Sequence, residues 1–280
     1  MRPMPVLALL LACLSLGFTA CGDDDDGDGG ASGPQPFEVA ADEKGVTAPD
    51  SVRPGAIELR FSNSGKKEHS AQVVSIADGH TAEEVKKAGE AWGQGQGPLP
   101  EWLTFLGGAG STKPGGSAIA VVDLSPGEYA VFDMESDARE PYAVFTVEGD
   151  EGAGLDEVPA SVEASEYTFR ADGLRSGSQR VLFENAGDEP HHLVGAPLAP
   201  GKTEADLRKF LKLEQAGKAK GPPPIVEDEG FDTAVVSGGE STVVDLRLES
   251  GDYAFLCFVP DRKGGPPHAF QGMAIVTTVE

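Results

Sequence analysis

One pattern occurs twice in this chain, and the repetition limits what it can fold into. Ile57-Glu-Leu-Arg-Phe61-Ser-Asn63-Ser-Gly65-Lys-Lys-Glu-His69 recurs as Arg180-Val-Leu-Phe183-Glu-Asn185-Ala-Gly187-Asp-Glu-Pro-His191, with His eight residues after Phe and six after Asn in both. Ser117 to Phe132 recurs as Ser241 to Leu256, each around an Asp-Leu and a Gly-x-Tyr-Ala. The offset is about 120 residues throughout, so the chain holds two homologous domains, not one large one. They run over about residues 37–149 and 163–280, with the acidic, Gly-rich segment 150–162 as linker. Within each copy, apolar and polar residues alternate, as in Ile57-Glu-Leu-Arg-Phe61 and Ser241-Thr-Val-Val-Asp-Leu-Arg-Leu248, which predicts half-buried strands. Pro126-Gly127 and Ser250-Gly251 mark turns into the Tyr129 and Tyr253 strands. One helix interrupts each copy. Thr81-Ala-Glu-Glu84 is a capping box, and Thr203-Glu-Ala-Asp206 is its acidic variant. The expected fold class is all-β: two tandem Greek-key β-sandwiches, each with a short helical insertion.

The N-terminus reads as a targeting segment. Arg2 precedes an apolar run, Val6 to Leu16, which is too short to cross a bilayer and has the length of a signal core. Phe18-Thr-Ala20-Cys21 follows and resembles the lipobox of bacterial lipoproteins. That resemblance implies a signal peptide over residues 1–20, a lipid on Cys21, and a protein anchored to the outer face of the cell membrane. Cys13 leaves with the signal. Residues 21–36 carry Asp23 to Asp26 among Gly, Ser and Pro and read as a disordered acidic tether. The formal charge of -24, from 22 basic against 46 acidic residues, argues against nucleic acid or anionic lipid as partners. Lipid on Cys21 is then the only expected membrane contact.

Cleavage at Cys21 leaves Cys257 as a lone thiol in an oxidising compartment, which calls for an explanation. It is either a buried inert side chain or a metal ligand. It closes a predicted strand, and the loop after it holds His268 and Met273. Phe183…Asn185-Ala-Gly187…Pro190-His191, Ser250-Gly251-Asp-Tyr253…Cys257 and His268…Gly272-Met273 before a last strand resemble, in that order, the cupredoxins, the plastocyanin-like type 1 copper proteins. The resemblance implies a cupredoxin-like sandwich in which His191, Cys257, His268 and Met273 hold one copper ion. It also implies that Asn185 supports the site from behind and that His268 is a partly exposed exit for electrons to a redox protein partner. The Cys-x10-His loop is longer than in plastocyanin-like proteins. His192, adjacent to His191, points to the other face if the segment is extended and is expected to be exposed or hydrogen-bonded.

The first copy keeps His69 but has Asp133 where the second has Cys257, and its 137–142 loop has neither His nor Met. It reads as a sandwich without a copper site, with His69 as a structural remnant, Met134 in the core or at a strand edge, and His80 exposed. Membrane-anchored electron transfer is therefore the leading expectation. The alternatives are a non-metal binding module on the same scaffold, and copper storage or delivery. An enzyme of the multicopper oxidase or nitrite reductase kind would need further histidines, typically as His-x-His; the chain has five His and no such pair.

Overall fold

Strands are the dominant regular structure of residues 33–280, the part of the chain that the computed structural model describes; the segment read as signal, Cys21 and most of the segment read as tether lie outside the described residues. The first copy supplies β1 (Gln35–Asp42), β2 (Gly45–Thr47), β3 (Ser51–Val52), β4 (Gly55–Asn63), β5 (His69–Ile76), α1 (Ala82–Gly93), β6 (Thr104–Thr112), β7 (Ser117–Leu124), β8 (Gly127–Phe132) and β9 (Tyr142–Val147). The second supplies β10 (Ala160–Ser165), β11 (Thr168–Asp172), β12 (Gly177–Asn185), β13 (Val194–Pro197), α2 (Glu204–Gln215), β14 (Phe231–Asp232), β15 (Ser241–Leu248), β16 (Gly251–Leu256), the one-turn α3 (His268–Gln271) and β17 (Ala274–Val279). Strand β1 starts two residues inside the segment read as tether, and β10 three residues inside the one read as linker. Among the described residues no helix is long and apolar enough to cross a membrane.

The duplicated sequence makes duplicated structure. In each copy the first strand runs parallel to the third or fourth (β1 with β4, β10 with β12). The Asn after the buried Phe performs the same task twice. Asn63 donates from Nδ2 to the carbonyls of Thr112 and Lys67 and accepts from Gly65 N. Asn185 donates to Val236 and Glu189 and accepts from Gly187 N. Each buried Tyr closes a corner four residues upstream, Tyr129 donating to Ser125 O and Tyr253 accepting from Glu249 N. Both capping boxes form: Thr81 with Glu84, and Thr203 with Asp206.

The two sandwiches are joined first by strand pairing. Strand β7 pairs antiparallel with β15 at Ala120–Val244, Val121–Val243 and Val122–Thr242. One eight-stranded sheet, β11-β10-β12-β15-β7-β4-β1-β2, therefore spans both copies. A five-stranded sheet, β3-β9-β8-β5-β6, covers its first half, and a four-stranded sheet, β14-β13-β16-β17, covers its second. Phe37, Leu59, Phe61, Val131 and Phe145 fill the first sandwich; Val181, Phe183, Leu193, Phe255 and Leu248 fill the second. Each such side chain contributes about 1.5–3 kcal/mol on burial. The 150–162 segment is no free spacer: Leu155 and Val158 pack on Ala56, Val121 and Val243 of the shared sheet, and Ala153 O accepts from Ala56 N.

Candidate metal centre

The centre sits at one end of the second sandwich, where three segments meet. Strand β16 ends at Leu256, leaving Cys257 in the core just past the last ladder pair. The chain then makes its long loop and returns. His268 N donates to Val259 O, Ala269 N to Cys257 O at 2.6 Å, Met273 N to His268 O, and Cys257 N to Met273 O. These four bonds close the loop on itself and bring the thiol, imidazole and thioether residues together. His191 comes from the other side. It follows the Asn185 turn and forms a two-bond bridge with Val236, His191 N to Val236 O at 3.0 Å and Val236 N to His191 O at 2.8 Å. Asn185 fastens both ends of that arrangement through its bonds to Glu189 and Val236, so it positions the His191 segment without touching the thiol.

The donor atoms converge. Cys257 Sγ lies 3.7 Å from His191 Nδ1 and 3.5 Å from His268 Nδ1, and the two Nδ1 atoms are 3.0 Å apart. All three residues are buried, and among the described residues they form the one His/Cys/Asp/Glu group with metal-binding spacing. A circle through the three atoms has a radius of about 2.0 Å, close to the length of first-row metal bonds to imidazole and thiolate. Met273 is fully buried in the same core cluster as Cys257.

Protonation completes the fit. Burial pushes the Cys257 thiol up to about 12, and burial together with the nearby His268 pushes His191 down to about 4. Burial also lowers His268, opposed by Asp261. Asp261 Oδ1 lies 3.0 Å from His268 Nε2, placed to accept a hydrogen bond from a proton on that nitrogen and so to leave the Nδ1 lone pair toward the other two donors. Two imidazoles of lowered basicity and a thiol converge at one buried point, where a cation would accept all three lone pairs. The soft sulfur, two imidazoles and a thioether are the donor set that suits copper with a weak axial ligand.

Both domains are β-sandwiches of the same strand plan, and comparison with known proteins adds likeness only. No family model and no curated protein matches the chain. Among solved structures it is similar to auracyanin B, 22% identical over 45% of this chain and 93% of that one, with a TM-score of 0.28. It is similar to auracyanin A, a "blue" copper protein from Chloroflexus aurantiacus, 14% identical over 41% of this chain and 100% of that one, with a TM-score of 0.32. It is also similar to the blue copper oxidase of Nitrosomonas europaea, 11% identical over 89% of this chain and 86% of that one, with a TM-score of 0.25.

The centre departs from the sequence reading at His268. The expected partly exposed exit is 0% exposed. Asp261 caps its Nε2, Tyr167 packs edge-on against its ring at 5.3 Å, and the Tyr167 hydroxyl donates to the same Asp261 oxygen. The long Cys-x10-His loop supplies Asp261, and the β10–β11 turn supplies Tyr167. His192 turns away from the donors and accepts from Phe258 N at 2.8 Å. In the first domain His69 Nδ1 pairs with Asp133 Oδ2 at 2.5 Å, both buried, so a hydrogen-bonded pair occupies the place of the His–Cys pair. Met134 is 55% exposed, not core, because it lies in the turn beyond β8. His80 is half-buried and stacks on Trp102 at 3.9 Å. Asp261 and Tyr167 were not singled out from the sequence; the only available signal was that Asp261 is the one carboxylate between Cys257 and His268.

Proposed function

We propose that this protein is a membrane-anchored, extracytoplasmic electron carrier that binds one type 1 copper ion through His191, Cys257, His268 and Met273. One observation supports it most: the buried convergence of two imidazole Nδ1 atoms on the only free thiol among the described residues. Copper held there supplies reversible one-electron chemistry. The chain's own groups present neutral imidazoles, keep out water, and fix each ligand by backbone bonds at both sides, so that little needs to move when charge changes. Lipid on Cys21 would hold the carrier at the membrane face, within reach of a redox protein partner. Complete burial of the ligands favours a carrier over a delivery protein, since release would have to break open the core.

The carrier reading is also favoured over an enzyme. The other three of the five histidines are engaged elsewhere: His69 with Asp133, His80 on Trp102, and His192 on Phe258 N. The test is a visible absorption spectrum of the protein starting after Cys21, with one equivalent of Cu(II). We expect an intense thiolate-to-copper charge-transfer band, absent in Cys257→Ser, and a reversible potential. A colourless protein whose copper washes away would sink the proposal and leave a binding module on a cupredoxin-like scaffold.

A further inference from the structure

The first domain has no thiolate site of its own, yet it holds the ligand loop of the second and the 235–236 segment that pairs with His191. On the His191 side, the buried Gln72 of β5 donates from Nε2 to Val235 O and Gly107 O and accepts from Val235 N at 2.7 Å. Leu106 of β6 bridges to Val236, the residue that pairs with His191. On the His268 side the grip is on the ligand loop itself. Trp92, the last buried residue of α1, donates from Nε1 to Asp261 O at 2.8 Å. Leu99 N donates to Arg262 O at 2.6 Å, and the Arg262 guanidinium reaches back to the carbonyls of Pro100 and Leu103. The helical insertion and the loop after it thus hold residues 261 and 262 in place.

Asp261 is the point where this grip meets the centre. Its backbone is held by Trp92, and its carboxylate accepts from His268 Nε2 and from the Tyr167 hydroxyl on one oxygen. His191 has no such support: its Nε2 has no hydrogen-bond partner among the described residues. Tyr167, which completes the arrangement, is the one non-glycine among the described residues with positive φ, at 61°. A bulky aromatic in that region costs energy that the surrounding contacts must hold, and such residues gather at sites where a side chain has to be aimed.

We propose that Asp261 is a positioning residue that fixes the tautomer and ring orientation of His268, and that the first domain holds Asp261 in place through Trp92. The inference rests on the proposed metal centre for its purpose but not for its test. In the metal-free, 15N-labelled protein, long-range proton–nitrogen spectra report which His268 nitrogen carries the proton. We expect Nε2–H in the wild type, a mixed population in Asp261→Ala, and recovery in Asp261→Asn, whose amide oxygen can still accept. Trp92→Phe keeps an aromatic ring in the core while removing the indole N–H and some of its volume, and it should broaden or shift the His268 signals from a distance. A second measurement is Cu(II) affinity by competition. There Asp261→Ala should lose about 10- to 100-fold, as for other supports of metal-bound histidines, with Asp261→Asn within a few-fold of wild type. A wild-type His268 protonated on Nδ1, or a tautomer unchanged in Asp261→Ala, overturns the role of Asp261. His268 signals in Trp92→Phe identical to wild type overturn the role of the first domain. The tautomer behaving as expected in a protein that binds no copper supports the positioning and refutes the copper reading alone.

Discussion

At the scale of single residues, the centre is set by how burial divides protons. Its imidazoles are kept neutral and its thiol protonated, so a metal ion entering at neutral pH displaces one proton, from Cys257. Copper affinity should therefore rise about tenfold per unit between about pH 7 and 9, measured by competition titration. The metal-free protein carries the converse cost. His191 binds its proton at about 4 when folded and near 6.5 when unfolded. The unfolded state takes up that proton first, so stability falls as pH drops from about 6.5 to 4, by about 3 kcal/mol, readable in denaturant midpoints. Met273 fills the core beside the thiol; Met273→Ala should cost about 2–5 kcal/mol, and Met273→Leu less than about 1.5 kcal/mol while keeping the charge-transfer band. In the first domain, His69→Ala strips Asp133 Oδ2 of its partner in the core. Loss of about 3–5 kcal/mol, by chemical unfolding, is expected for a broken buried pair.

At the scale of elements, local sequence decided more than distant sequence did. The capping boxes, the Asn turns and the Tyr corners are bonds between residues two to four apart, and each is written in the chain beside its partner. The Cys-to-His loop is different. Its path depends on Trp92, Leu99 and Pro100, more than 150 residues earlier, so nothing near His268 signalled that it would be covered. The bulged strand β6 is a second such case. Gly107, at φ +87°, sits where an added Cβ would lie 2.6 Å from Thr242 Cβ across the domain junction. Gly107→Ala must strain the backbone and push β15 away. It should destabilise the protein by more than about 1 kcal/mol and loosen the metal centre with it, which chemical unfolding and copper affinity would both show.

At the scale of the whole molecule, the shared eight-stranded sheet makes one folding unit of two sequence repeats. The β7–β15 ladder, the Thr242 hydroxyl on Val121 O, and the Arg180–Glu58 ion pair at 2.6 Å all cross the junction. A free β15 edge would expose backbone groups and the apolar Val243. Calorimetry should therefore show a single cooperative transition, and residues 160–280 expressed alone should be less stable and prone to associate. Two separate transitions would show that the sandwiches fold independently.

By itself the sequence determined the duplication, the all-β class, the helix starts, and the identity and order of the four candidate ligands, because periodicity, turn chemistry and residue type act over a few positions. Only the tertiary structure decided that the two sandwiches share a sheet, that His268 is enclosed, and that Asp261 and Tyr167 stand behind it. Those outcomes depend on which distant surfaces bury one another, a balance of desolvation and packing that no short stretch of chain encodes alone.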